Sequence, residues 1–313
     1  MIPTKRDVLV AYERVKPYTH NTPVLKSSYI NELSRAEIFF KCENFQKMGA
    51  FKMRGATNAI LQLSEKQKKA GVVTHSSGNF AQALSLAAKN LGVKAYIVMP
   101  ENAPQVKKEA VKGYGGIITE SESTSFAREA EAARIQQETG ATFIHPSNDL
   151  NVILGNSTSA AELLEKHPDL DFVFTPVGGG GLIAGTALAV YYFGNNCKTL
   201  GGEPSEADDA FKSLKSGKIE TNKTVNTIAD GLKTNLGDIN FPIIKELVSE
   251  IICVEETEIV AAMKLIWERM KIVVEPSSAV AFAAVLKEKK HFRNKKVGVI
   301  LSGGNVDLKN LPF

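Results

Sequence analysis

Cysteine is scarce in this chain: three residues in 313, Cys42, Cys197 and Cys253, odd in number and far apart. Such usage argues against a disulfide framework, and no two of them have the spacing of metal ligands. Free thiols in a reducing compartment, the cytoplasm, are therefore expected. Long apolar runs are missing as well. The longest, Leu182 to Phe193, is about a dozen residues, against roughly 20 needed to span a bilayer, so no membrane partner is expected. The opening stretch MIPTKRDVLVAYERV lacks the uninterrupted apolar core of a secretory signal. It reads instead as an amphipathic helix entered near Thr4 and Asp7. Nor does one charge dominate, with 38 basic and 34 acidic residues and a formal charge of +4. The basic runs Lys66 to Lys69 and Lys287 to Lys296 are interleaved with Glu or apolar residues, which suits solvated faces. Nucleic acid is not an expected partner. No fixed-period repeat and no low-complexity linker interrupts the chain.

What is present is ordinary for a soluble globular protein, with 43% hydrophobic and 23% charged residues. The length suits one large domain or two modest ones. Short apolar runs alternate with helical patterns. Strands are predicted at 36–43, 71–77, 95–100, 116–121, 141–146, 171–177, 198–204 and 296–304. Helices are predicted at 55–70, 80–92, 103–115, 125–140, 156–167 and 182–194. Alternation of this kind argues for an α/β fold, with parallel sheets buried on both faces. Residues 68–154 hold successive strand–helix units and are expected to form a small mobile domain. Residues 1–67 and 155–313 would together form the large one.

Four segments carry chemistry. PVGGGGLIAG (176–185) follows a strand and opens a helix. Its glycines let backbone N–H groups approach an anion, which the helix dipole also favours. Three readings remain open there: a phosphate cup, mere tight packing, or a dinucleotide site. The last would use Gly179, Gly181 and Ala184 as a relaxed G-x-G-x-x-A, with Glu203 for the ribose. VILSGGN (299–305) alone is no more than a structural turn. In CENFQKMGAFKMRGA (42–56), Lys52 stands at the mouth of a helix. It either snorkels into water or serves as a nucleophilic amine whose charge burial disfavours. THSSGNFAQAL (74–84) offers two hydroxyls and an amide in a turn, either an ordinary helix cap or a carboxylate cradle.

Taken together, these segments resemble the serine racemase and serine/threonine dehydratase family of pyridoxal-phosphate (PLP) enzymes. The resemblance runs from TPVLKSS (22–28) to SGGNVDL (302–308) and includes FKMRGA, SSGN, PVGGGGL, GGEPSEADDA, IADGL and WERMKIVVEPS. It implies PLP fold type II, the tryptophan synthase β-like arrangement: two domains, each a largely parallel twisted sheet flanked by helices. It further implies that Lys52 binds the cofactor covalently and acts as base, with Phe51 against the pyridine ring. Asn79 would bond the phenolic oxygen, and Gly178, Gly179, Gly180, Gly181 and Leu182 would cup the phosphate. Ser302 would face the ring nitrogen, and Gly231 and Glu275 would line the cofactor. A neutral Ser302 leaves that nitrogen largely unprotonated, which favours elimination over transamination. Ser77 would stand opposite Lys52 as the second catalytic residue. Ser76, Ser77 and Asn79 would hold the substrate, with Arg128 and Asp230 near its side chain or the domain closure.

The resemblance also implies a divalent cation, Mg²⁺, Ca²⁺ or Mn²⁺, on Glu203, the Ala207 carbonyl and Asp209. Without it, Asp208 and Asp209 read as a helix-entry pair. Three departures from the family pattern bear on substrate preference: Phe80 where a His is common, Ala50 where a Ser is frequent, and HPSNDLNVILGNSTSA at 145–160. The implied activity is dehydration and deamination of a small β-hydroxy amino acid by a homodimer. The alternatives are a racemase using Lys52 and Ser77, a β-replacement enzyme, a dinucleotide-dependent oxidoreductase and a catalytically silent binding protein.

Overall fold

The computed structural model describes residues 2–313. Ten strands are formed: Val24–Leu25 (β1), Glu37–Cys42 (β2), Val72–His75 (β3), Ala95–Pro100 (β4), Ile117–Ser121 (β5), Thr142–Phe143 (β6), Phe172–Pro176 (β7), Lys198–Pro204 (β8), Val248–Val254 (β9) and Lys296–Leu301 (β10). They build a six-stranded sheet, ordered β1-β2-β10-β7-β8-β9, and a four-stranded sheet, ordered β5-β4-β3-β6. All pairings are parallel except β1 with β2. Each sheet is flanked by helices and belongs to its own domain, the arrangement expected of strand–helix alternation. Among the described residues no helix is long and apolar enough to cross a membrane.

The central strands are Val, Ile and Phe runs because both sheet faces are covered. Phe40 meets Phe282 of the Pro276–Lys287 helix edge-on, and Val299 and Phe174 belong to the same buried cluster. The Gly181–Phe193 helix is apolar all round and buried over its first ten residues, Gly181 to Val190. Several expectations need correction. The helix predicted at 55–70 is two helices, Lys52–Leu61 and Glu65–Ala70. Ser64 and Gln67 form a reciprocal capping box that starts the second. The helix predicted from 156 begins at Leu150, where Asp149 caps it by accepting from Asn151 and Val152. The strand predicted at 141–146 shrinks to Thr142–Phe143, because His145 turns the chain back on itself. Strands β1 and β9 are absent from the predicted set; β1 is two residues long, and β9 is an edge strand interrupted by Ser249 and Glu250.

Two contacts hold the Lys52–Leu61 helix in place. It crosses the Leu150–Lys166 helix at Gly55 and Gly155, where an added Cβ on Gly155 would lie 2.5 Å from the Arg54 carbonyl oxygen. Beside that crossing, Arg54 donates to Glu43 and Glu162, both at 2.7 Å, and Lys41 also pairs with Glu162. These four side chains are almost wholly buried and balance as two cations and two anions. Removing one partner from such a set costs about 3–5 kcal/mol, because an uncompensated charge is left in the interior. The network therefore anchors the helix two residues after Lys52.

Candidate active site

Four chain segments meet where strands β2, β3, β7 and β10 end. After β2, Met48 (φ 56°) and Gly49 (φ 78°) are both left-handed and reverse the chain. The reversal lays Ala50 beside Gly303, and the Phe51 N–H donates to the Ser302 carbonyl at 3.0 Å. Lys52 then opens its helix with its amine directed inward. That amine donates to the Pro146 carbonyl at 2.7 Å and lies 5.0 Å from the Phe51 ring and 5.6 Å from the Phe80 ring. Burial in this apolar box pulls its pKa down to about 8. Lys52 is half-buried with its amine turned inward, a geometry that suits the amine reading better than the snorkelling one.

The glycine turn after β7 is packed from every side. A Cβ at Gly178 would meet the Leu232 Cα at 2.7 Å, and at Gly179 the Ser147 Oγ at 2.4 Å. Gly180 is left-handed (φ 80°), and a Cβ there would strike Asn240 at 2.7 Å. Asn240 braces the turn by donating to the Gly179 and Ser147 carbonyls. Among the described residues, none accepts a hydrogen bond from the N–H of Gly178, Gly179 or Gly180. Unused N–H groups at the start of a buried helix suit a phosphate, so the turn fits the phosphate end of PLP. Leu182 lies in the first turn of that helix, buried.

The other expected residues fall in distinct places. Ser76, Ser77 and Asn79 form the turn after β3, half-buried. Ser302 is buried at the end of β10. Gly231 borders the glycine turn and donates to Ser277 at 3.0 Å. Glu275 is buried and receives the Asn79 amide at 2.8 and 3.1 Å. Burial, with Asp230 nearby, pushes its pKa up to about 8. Asp230 is exposed and pairs with Lys107 at 2.6 Å. Arg128 donates to the Thr124 carbonyl, and its charge bears on His75. Phe80, in place of a family His, is buried as a wall beside Lys52.

Glu203 caps the Asp209–Ser216 helix by accepting from Ala210 (2.9 Å) and Phe211 (2.7 Å), which removes it from the ribose role. Asp209 accepts from Asn222 and Leu236. Burial raises both carboxyls, Glu203 well above its usual range and Asp209 to about 6. Ala207 is buried between them in sequence. No group of three or more His, Cys, Asp or Glu residues able to hold a metal is found among the described residues. Residues the sequence reading missed are Pro146, Ser147, Asn240 and His145. The departure at 145–160 was the only signal for the first two and for His145, and nothing local marked Asn240, which acts from 61 residues beyond the glycine turn.

Residues 15–303 match the family described as pyridoxal-phosphate dependent enzyme. The chain is 50% identical over 312 residues to the beta-hydroxyaspartate dehydratase of Paracoccus denitrificans, covering 100% of this chain and 99% of that protein. The crystal structure of serine racemase from Dictyostelium discoideum superposes with a TM-score of 0.93 at 50% identity, covering 97% of this chain and 98% of that one. The structure of the processed form of threonine deaminase isoform 2 from Solanum lycopersicum gives a TM-score of 0.93 at 32% identity, covering 98% of this chain and 92% of that one.

The turn that presents the Pro146 carbonyl has a pH limit. His145 Nδ1 accepts from the Ser147 N–H at 3.1 Å and the Asn148 N–H at 2.7 Å, so protonation there breaks both bonds. Burial, with His75 adding to it, holds its pKa at about 4 rather than 6.5. Between those values the unfolded chain takes up a proton that the native one refuses, so stability falls as the pH drops through the window. We expect a loss of about 2–3 kcal/mol across it. In His145→Asn, which keeps an acceptor but does not titrate, much of that loss should vanish. Urea unfolding at stepped pH measures it; identical slopes in the two proteins would remove His145 from the explanation.

Proposed function

The chain belongs to the pyridoxal-phosphate dependent enzymes, and on that premise we propose that it removes water from a small β-hydroxy amino acid. L-Serine, L-threonine and threo-3-hydroxyaspartate are the candidate substrates, with a 2-oxo acid and ammonia as products. The observation that supports this most is the inward-turned Lys52 amine, held by the Pro146 carbonyl near the glycine turn. The beta-hydroxyaspartate dehydratase, half identical along its whole length, favours elimination and a dicarboxylic substrate.

Bound in this site, pyridoxal phosphate supplies an aldehyde for the substrate amine and a ring that withdraws electrons from Cα. The chain supplies the remainder. The N–H groups of Gly178 to Gly181 would grip the phosphate with no side chain in the way. Ser76 and Ser77, with the backbone N–H of Asn79, would orient the substrate carboxylate. Lys52, with a pKa of about 8, is partly neutral close to neutral pH and can take the Cα proton. It can then return a proton to the departing β-hydroxyl, so that one water leaves; a second water is consumed in freeing ammonia. Phe51 and Phe80 keep solvent from the amine, which limits stray protonation at Cα.

A second reading, racemisation, is favoured by Ser77. No described residue engages its hydroxyl, leaving it available to protonate Cα from the face opposite Lys52. We also propose a divalent cation, Mg²⁺, Ca²⁺ or Mn²⁺, on Glu203, the Ala207 carbonyl and Asp209, completed by waters. Glu203 at the end of β8 and Ala207 and Asp209 just beyond it are all buried, which supports it.

A substrate panel scored for 2-oxo acid and for the inverted enantiomer tests the chemistry. At least one of the three hydroxy amino acids should yield its 2-oxo acid, and Ser77→Ala should keep elimination while losing inversion. Keto-acid formation from none of them would end the elimination reading, and inversion that survives in Ser77→Ala would end the second. For the cation, EDTA treatment should lower the melting temperature and Mg²⁺ should restore it; an unmoved melting curve contradicts the site.

A further inference from the structure

Asn79 opens the helix after β3, in the four-stranded domain, yet its side-chain hydrogen bonds run to the other domain. Its Nδ2 donates to both oxygens of Glu275, at 2.8 and 3.1 Å. Its Oδ1 accepts from Asn305 Nδ2 at 2.9 Å. The same Asn305 nitrogen donates to the Met48 carbonyl at 2.8 Å. A carbonyl can only accept, so the nitrogen end of Asn305 is fixed by Met48, and Asn305 can then present only a donor to Asn79. Asn79 must answer with its oxygen, which leaves its nitrogen toward Glu275 and the site. Two oxygens of one carboxylate can share a single Nδ2 hydrogen, which leaves the other for an oxygen in the site.

Glu275 is itself placed tightly. Its N–H donates to the Gly303 carbonyl at 3.1 Å, and a Cβ on Gly303 would lie 2.7 Å from its Oε1. Lys52 is close enough for its charge to bear on the Glu275 carboxyl, so the clamp and the amine share one site. We propose that Asn305 and Glu275 are positioning residues that lock the donor edge of Asn79 toward the oxygen of bound pyridoxal phosphate, and so hook the two domains together at the cofactor. The proposal rests on the cofactor reading above, since it is that group's phenolic oxygen that Asn79 would meet. An unclamped amide is free to rotate and set Oδ1 against that oxygen, acceptor against acceptor.

Three readouts test it: the PLP dissociation constant by fluorescence titration, the pH midpoint of the bound cofactor's visible band, and the melting temperature of the cofactor-free protein. Asn305→Asp replaces the donor by a carboxylate of the same shape. It should weaken PLP binding about ten-fold, the equivalent of one hydrogen bond, and move the band's midpoint by about one pH unit. Glu275→Leu should behave alike, whereas Glu275→Gln, which keeps an acceptor oxygen, should stay within about two-fold of the parent. If Asn305→Asp does not fold, Asn305→Ala removes the donor without adding charge and carries the same expectation. Unchanged affinity and midpoint in a folded Asn305 variant would overturn the proposal, as would a Glu275→Gln defect equal to that of Glu275→Leu. A parent protein that binds no PLP would overturn the cofactor reading beneath it, an outcome distinct from these.

Discussion

The amine of half-buried Lys52 is turned inward beside two aromatic rings, with one carbonyl to bond to, and much of the surrounding architecture follows from that constraint. Burying an ammonium is costly, so the site shifts the group toward its neutral form instead. Holding it there requires a rigid base. The left-handed Met48–Gly49 turn delivers the chain to the helix start, and the Ala50–Gly303 bridge fixes it to β10. Two residues further on, Arg54 ties the helix into a neutralised set of buried charges. The glycine crossing at Gly55 and Gly155 then brings the Leu150–Lys166 helix close against it.

Everything else in the site is arranged around that amine by the parallel sheets. Strands β2, β7 and β10 of the larger sheet deliver the lysine turn, the glycine turn and Ser302 at their C-terminal ends. Strand β3 of the smaller sheet delivers Ser76 to Asn79 the same way. Ligand sites in open parallel sheets gather at such ends, because helix N-termini and loops converge there. The two domains thus meet across the site, and the Asn79 bonds to Glu275 and Asn305 are made at that meeting.

The sequence disclosed three of these four segments because each carries a local signature, and the Ser302 turn only through the family resemblance. Four glycines in a row, a lysine after Gly-Ala-Phe, and Ser-Ser-Gly-Asn all sit at strand-to-helix junctions. It disclosed less where the partner is distant or is backbone. Pro146 matters through its carbonyl, which no residue type announces, and Asn240 braces the glycine turn from 61 residues away. Lys41, Glu43, Arg54 and Glu162 read as ordinary charges until the fold buries them together. Strand β9 has no clear signature because Ser249 and Glu250 break its apolar run, and its pairing with β8 is set by the sheet rather than by propensity. Glu203 shows the opposite hazard. Its spacing from the glycine turn suits a ribose contact, yet its carboxylate caps a helix.

Peptide mapping after borohydride fixation measures most directly whether the sequestered amine is the one that meets the cofactor. The purified protein is loaded with pyridoxal phosphate, reduced, digested and mapped by mass spectrometry. A stoichiometric adduct confined to the peptide containing Lys52 is expected. An adduct spread over surface lysines such as Lys66 or Lys290, or none at all, would contradict the central role given to Lys52.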